Sequence, residues 1–148
     1  MSQAARQIDL ATSPGYLLKV ASSTLRAAME DVLRPLGMTI THYSCLELLA
    51  QRPGLSNSEL ARGTFVTRQS MNVLLQALQR EGLVTRPDAP AAGRVLPAEL
   101  TEAGRRQLAA ASAAVRGVED RMVAGFGDGD RARLLELLGR CVTSLSDR

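Results

Sequence analysis

Apolar residues recur at helical spacing along the first third of the chain. Between about residues 13 and 36 they fall three and four positions apart, at Leu18, Ala21, Leu25, Ala28, Met29, Val32 and Leu36. This stripe predicts an amphipathic helix, for which Pro14 suits the first turn and Gly37 the end. A shorter apolar run predicts a second helix, with Thr41 as its N-cap and Pro53-Gly54 as its stop.

A short third helix is predicted immediately after this stop. Ser56 and Glu59 have the spacing of a capping box, in which each side chain accepts a hydrogen bond from the other residue's backbone N–H. Leu55 and Leu60 have the spacing of a hydrophobic staple around the same helix start. Because Gly63 follows so soon, we expect a helix of only about two turns.

A fourth helix follows after a tight turn. The pattern predicts that Phe65-Val66 forms a buried turn, that Thr67 caps the new helix, and that the helix lasts to Glu81 and stops at Gly82. Two short helices joined in this way are typical of a helix-turn-helix. Residues 83–86 and 94–100 are then predicted as two strands around a Pro-, Ala- and Gly-rich loop, and such a hairpin is called a wing.

The last third of the chain returns to helical periodicity. Thr101 is predicted to cap a long fifth helix, and glycines at 125, 127 and 129 separate it from a last helix that Asp128 or Asp130 caps. Apolar residues continue at helical spacing through both, at Leu108, Ala111, Val115, Val118, Met122, Phe126, Leu134, Leu135, Leu138, Cys141, Val142 and Leu145. We expect the first, fifth and sixth helices to pack together, and two chains to pair through them, although a monomeric bundle is the plain alternative.

Mainly helical structure with a small β-hairpin wing is thus the predicted fold class, in a single domain of 148 residues. Residues 13–36 and 101–147 would form a dimerisation bundle around a winged helix-turn-helix at residues 41–100, with its wing at about 83–100.

The fourth helix carries the side chains best suited to contacting DNA bases. Met71, Leu74, Leu75 and Leu78 define its inner face, and the other face offers Arg68, Gln69, Ser70, Asn72, Val73 and Gln76. Arginine pairs with guanine, Asn and Gln pair with adenine, and an apolar group can touch the thymine methyl. Ser56 and Thr67, at two helix starts, complete this predicted contact set.

The net charge of the chain is concentrated in the same region. Six arginines and three acidic residues lie between residues 52 and 94, so this segment carries the whole formal charge of +3. A polyanionic partner such as double-stranded DNA fits that distribution. We expect Arg62 and Arg86 to contact phosphates and Arg94, in the wing, to enter a narrow minor groove.

Several of these motifs together resemble the MarR (multiple antibiotic resistance regulator) family. They are Ser56 to Arg62, Val66-Thr67, the helix end Leu78 to Val84, and Leu100 to Gly104, within a similarity that covers roughly residues 13–146. The resemblance implies a homodimeric repressor that leaves a palindromic operator when a small molecule or an oxidant acts. The family's wing commonly carries Asp, any residue, then Arg; here Ala92 replaces the acid and Arg94 is kept.

An effector pocket is implied by the resemblance alone, between the dimer helices and the winged region. Tyr16, His42, Tyr43 and Cys45 are the candidate lining residues. Cys45 is either a redox-sensitive thiol near a helix start or an inert core residue, and its apolar neighbours favour the core. Cys141 is expected in the core or in an interface.

Other classes of function have little support in the residues. One histidine and two distant cysteines do not supply a zinc site, no phosphate-binding loop is present, and we expect no cofactor and no enzymatic activity. No stretch approaches eighteen consecutive apolar residues, and residues 1–6 lack a secretory core, so we expect a cytoplasmic protein without a membrane partner. A winged-helix module that binds a protein instead of DNA is the remaining alternative.

Overall fold

The computed structural model describes residues 7–86 and 97–146, which form six α-helices and a two-stranded antiparallel sheet. The elements follow the order α1 (Pro14–Leu33), α2 (Ile40–Gln51), α3 (Asn57–Thr64), α4 (Arg68–Arg80), β1 (Val84–Thr85), β2 (Glu99–Leu100), α5 (Glu102–Met122) and α6 (Asp130–Ser146). The predicted fold class, mainly helical with a small hairpin, is confirmed. None of the helices in these residues is long and apolar enough to cross a membrane.

The second helix begins earlier than the sequence pattern predicts. Its N-cap is Thr39, not Thr41: the Thr39 hydroxyl accepts the backbone N–H of His42 at 3.1 Å, and His42 Nδ1 accepts the backbone N–H of Thr39 at 3.4 Å. This reciprocal pair satisfies two N–H groups at the helix start. Gly37, in a left-handed conformation at φ 73°, ends the turn between α1 and α2.

The turn between α3 and α4 is the clearest departure from prediction. The Ser56–Glu59 capping box is confirmed, but Phe65 is 94% exposed instead of buried. Phe65 adopts a left-handed conformation at φ 62°, which reverses the chain after α3, while Val66 is half-buried and packs against the core. At so tight a turn only one of two adjacent side chains can be packed inward, and Val66 takes that position.

The core lies where α1 to α5 and the sheet meet. Its largest fully buried side chains come from α1 to α4, at Leu33, Cys45, Leu46, Leu60, Met71, Leu75 and Leu78. Val84 pairs with Leu100 and Thr85 with Glu99, so each strand buries its apolar residue against this core and exposes its polar one. Residues 87–96 of the predicted wing, which include Ala92 and Arg94, lie outside the described residues.

Only two of the three terminal helices pack within one chain as predicted. α5 lies along α1 and buries Leu108, Ala111, Val115 and Val118. α6 buries none of its side chains, and its apolar residues Leu135, Leu138, Val142 and Leu145 remain exposed. α5 also stops at Met122, before Phe126. Asp130 is the first residue of α6, and its carboxylate accepts the backbone N–H of Gly127, in the turn before the helix, at 2.9 Å.

Candidate DNA-binding interface

α4 divides into an inner and an outer face as its sequence predicts. Met71, Leu74, Leu75 and Leu78 are buried in the core. Every side chain predicted for base contacts on this helix is exposed, namely Arg68, Gln69, Ser70, Asn72, Val73 and Gln76. A helix with a fully apolar inner face is held rigidly, so these polar groups project from a fixed position on the surface.

Two of the predicted contact residues serve locally as helix caps. The Thr67 hydroxyl accepts the backbone N–H of Ser70 at 3.0 Å and donates to Ser70 Oγ at the same distance. The Ser56 hydroxyl accepts the backbone N–H of Glu59 at 3.2 Å, and hydrogen bonds from Ser56 hold the pKa of the Glu59 carboxyl below its usual range. These caps leave other backbone N–H groups of each helix start available to an anion.

The arginines of this surface form no ion pair within 4 Å among the described residues. Within residues 7–86 and 97–146 the ion pairs lie on α1, on the turn after it, and on α5 and α6. Arg62 and Arg68 are both exposed and have no carboxylate within 4 Å in that part of the chain. Their guanidinium groups are therefore available to phosphates or bases.

Arg86 has a different environment from the other predicted phosphate contacts. It is half-buried, and its Nη2 donates to Asn57 Oδ1 at 2.7 Å. Asn57 Nδ2 in turn donates to Asn72 Oδ1. Sequence reasoning missed Asn57, because an Asn in the first turn of a helix is common and nothing in its neighbours signals a distant partner.

The predicted contact of Arg94 with the minor groove stays a prediction, because Arg94 lies outside the described residues.

The four residues predicted to line an effector pocket do not come together. Cys45 is fully buried, its Sγ lies 3.9 Å from Met71 Sδ, and burial raises the pKa of its thiol to about 12. His42 is occupied by the capping box of α2, and Tyr16 is exposed near the start of α1. Of the two interpretations of Cys45, the inert core residue is therefore the one that the structure supports.

Tyr43 belongs to a polar cluster between α2 and α5. Its hydroxyl donates to Glu47 Oε2 at 2.6 Å, and Ser112 of α5 donates to the same oxygen at 2.9 Å. Gln51 Nε2 donates to the other carboxylate oxygen at 2.6 Å. Burial opposes ionisation of Glu47, but these three hydrogen bonds outweigh it and hold its pKa below the usual range. Burial and the Glu47 carboxylate raise the pKa of Tyr43.

A separate cleft opens between α1, α2 and the exposed turn at Phe65. It encloses about 370 Å³ and has a mixed apolar and polar lining, which includes Leu25, Arg26, Met29, Ile40, Ser44 and Phe65. The cleft lies between a terminal helix and the helix-turn-helix, the place where an effector pocket was expected, but different residues form it.

Comparison with known proteins agrees with this architecture. A family model described as MarR family matches residues 36–95, from the turn after α1 to a point within the predicted wing. The HTH-type transcriptional repressor Rv2887 of Mycobacterium tuberculosis is 42% identical over 128 residues, which are 84% of this chain and 92% of the repressor. The chain belongs to the MarR family.

Solved structures of the same MarR relative cover nearly the whole fold. Rv2887 in complex with DNA aligns with a TM-score of 0.72 at 37% identity, over 86% of this chain and 98% of the other. Its complex with salicylic acid aligns with a TM-score of 0.74 at 38% identity, over 88% and 96% of the two chains.

The MarR motif at the exit from the wing has a clear structural reason in this chain. The Thr101 hydroxyl donates to the carbonyl of Gly82 at 2.6 Å and accepts the backbone N–H of Gly104 at 3.0 Å. A Cβ on Gly104 would lie 2.1 Å from the carbonyl oxygen of Leu83, so only glycine allows α5 to start this close to β1. The motif thus attaches the winged region to α5.

Proposed function

We propose that this MarR-family protein is a transcription repressor that binds a palindromic operator as a homodimer and leaves it when a small molecule binds. Residues 41–100 form the winged DNA-binding region in this proposal, and residues 13–36 with 101–147 pair the two chains. The protein acts in the cytoplasm and catalyses no reaction of its own. The relative Rv2887 supports the proposal, since it is a repressor with structures in complex with DNA and with salicylic acid.

The observation that carries the proposal is the exposed polar face of α4 beside Arg62 and Arg68, which have no carboxylate within 4 Å in the described part of the chain. The helix begins directly after the turn of the helix-turn-helix and projects Arg68, Gln69 and Asn72 from its first two turns. In the major groove these groups would meet base edges, while the α4 N-terminus and Arg62 approach phosphates.

A DNA titration with purified full-length protein tests this proposal. Binding to the DNA upstream of its own gene is measured by fluorescence anisotropy at about 50 and 200 mM salt, with an expected loss in affinity of at least 100-fold because counterions are released. Arg68→Ala is expected to weaken specific binding by roughly 10-fold or more. Arg34→Ala, which removes the same charge at the end of α1, is the matched control and should bind like the wild type.

Weak binding that ignores DNA sequence would contradict the proposal. It would favour instead a winged-helix module that binds another protein, whose apolar interface would respond little to salt.

We further propose that the cleft between α1, α2 and Phe65 is the effector site. Its apolar side chains Leu25, Met29 and Phe65 suit an aromatic ring. Arg26 pairs with Glu30 at 3.6 Å on the surface of α1, and it can exchange this exposed contact for the carboxylate of a ligand. An effector held there would contact both a terminal helix and the turn that leads into α4.

Salicylate serves as the probe for this site. Added to the protein–DNA complex, it is expected to raise the Kd for DNA, and Arg26→Ala should reduce that effect by roughly 10-fold because a charge-assisted contact is lost. Arg34→Ala is again the control. An unchanged salicylate response in Arg26→Ala would place the effector elsewhere.

A further inference from the structure

A chain of three hydrogen-bonding side chains connects the base of the wing with α4. Arg86, just after β1, donates from Nη2 to Asn57 Oδ1 at 2.7 Å, and Asn57 Nδ2 donates to Asn72 Oδ1. Asn57 is the first residue of α3, and Asn72 lies in the second turn of α4. Residues 29 and 15 positions apart in sequence thus form one network.

The direction of every hydrogen bond in this network follows from Arg86. The oxygen and nitrogen of an amide have nearly the same shape, so an Asn side chain is oriented by its partners. A guanidinium group can only donate, so Asn57 must direct Oδ1 toward Arg86 and has only Nδ2 left for Asn72. Asn72 must then direct its acceptor, Oδ1, toward Asn57, which leaves its two Nδ2 hydrogens for another partner.

The position of Arg86 keeps its guanidinium group directed at Asn57. The residue is half-buried, and its Nε is buried with no hydrogen-bond acceptor among residues 7–86 and 97–146. A guanidinium withdrawn in this way has restricted freedom to rotate, and it keeps its Nη2 donor directed at Asn57.

We infer that Arg86 and Asn57 are positioning residues that hold Asn72 as a hydrogen-bond donor toward DNA. The inference rests on the proposed function, in which the first two turns of α4 enter the major groove. Guanine presents two acceptors there, adenine N7 and thymine O4 present one each, and the polar group of cytosine is a donor. Asn72 therefore favours guanine and rejects cytosine at the base that it faces.

The substitution Asn57→Asp is expected to reverse the orientation of the Asn72 amide without changing any residue of α4. The new carboxylate still accepts from Arg86 but has no donor for Asn72, so the Asn72 amide turns and directs Nδ2 toward the carboxylate. Asn72 then presents Oδ1 to the DNA, and its preference moves to bases with a donor. Arg86→Ala instead removes the group that orients both amides. The preference for guanine over cytosine at the base pair that Asn72 faces should then disappear.

Position-resolved binding of the full-length protein measures these effects. The wild type selects duplexes from a randomised DNA pool, and the selected site is then substituted one base pair at a time and titrated by anisotropy. Asn72→Ala identifies the base pair at which the preference disappears. There the wild type should prefer guanine over cytosine by about five- to tenfold, and Asn57→Asp should invert that ratio. Ser58→Asp, which adds the same charge to the next residue of α3, should leave the ratio unchanged.

Each outcome supports or overturns the inference. A wild type that selects no sequence overturns both the proposed function and the inference that rests on it. A wild type that selects a site, together with an unaltered guanine-to-cytosine ratio in Asn57→Asp, overturns the inference alone. If Asn57→Asp fails to fold, as judged by thermal unfolding, Arg86→Ala decides, and a wild-type ratio in that variant has the same meaning. The inference is also overturned if Asn72→Ala keeps the wild-type base preference at every base pair of the site.

Discussion

Cys45 lies in the centre of the core, fully buried and in contact with Met71. Burial disfavours the thiolate, which is the reactive form of cysteine, and raises the thiol pKa to about 12. A sensor of oxidants needs an accessible thiol with a lowered pKa, and Cys45 has neither property. Cys141 differs, because it is exposed on α6 within a single chain.

Thiol labelling tests the character of Cys45 directly. In the Cys141→Ser variant Cys45 is the only thiol, and its raised pKa keeps the thiolate at pH 8 far rarer than in an exposed cysteine. We expect a labelling rate with an aromatic disulfide reagent that is at least about 100-fold slower in the native protein than in the same variant unfolded by guanidinium. Rapid labelling of the native variant would show that the core opens at this position.

At the scale of the secondary-structure elements, hydrogen bonds between α2 and α5 attach the winged region to this terminal helix. Glu47 of α2 accepts hydrogen bonds from Tyr43 and Gln51 on its own helix and from Ser112 of α5. Nearby, Gln107 of α5 donates to the carbonyl of Leu36 at 2.8 Å. These polar contacts lie beside the apolar packing of the same helices and fix their relative rotation.

Glu47→Gln is expected to lower stability in a pH-dependent way. The pKa of Glu47 is depressed in the folded protein, so its contribution is present above the unfolded pKa, about 4.3, and is lost as the pH falls through the folded value. Because Glu47 is only partly buried, we expect a loss of about 0.5–1 kcal/mol in the free energy of unfolding at pH 7.

Urea unfolding between pH 3 and 7 is the measurement for this variant. The difference from the wild type should shrink as the pH falls through the lowered pKa of Glu47, because the carboxyl group then becomes protonated and uncharged like the Gln side chain. Glu81→Gln, at an exposed carboxyl after α4, is the control and should differ from the wild type by less than about 0.5 kcal/mol at any pH. A constant difference at all pH values would mean that Glu47 acts through packing alone.

At the scale of the whole molecule, α6 exposes a stripe of apolar side chains and buries none of them among the residues that the structure describes. Its exposed residues recur at helical spacing, and α1 adds Leu17, Leu18 and Val20, each about half exposed. A stripe of this kind on two helices that flank the DNA-binding region fits the pairing of two chains around a two-fold axis. A dimer would place two copies of α4 on two half-sites of a palindrome.

Val142→Glu is expected to separate the two chains. Val142 is 66% exposed within one chain, so the variant should fold normally, but a carboxylate in an apolar interface should raise the dimer Kd by roughly 100-fold. Sedimentation equilibrium measures the dimer Kd, and operator affinity should fall in parallel. Ser144→Glu lies on the opposite side of α6 and is the matched control. A Val142→Glu protein that stays dimeric would locate the interface elsewhere.

Much of this protein was determined by its sequence alone. The 3.6-residue period of α1, α4 and α5, the Ser56 and Thr67 caps and the stop at Gly82 act over one or two turns of chain, so local physics was enough to predict them. The outer face of α4 followed for the same reason, because the positions of its buried leucines leave the polar residues on the other side.

Only the tertiary structure decided which residues meet across the chain. Phe65 was turned outward because Val66 occupied the core side of the turn. The Arg86–Asn57–Asn72 network and the cleft at Phe65 join elements that are distant in sequence. Contacts of this kind depend on how the helices pack against one another, and a local pattern of polar and apolar residues carries no information about that packing.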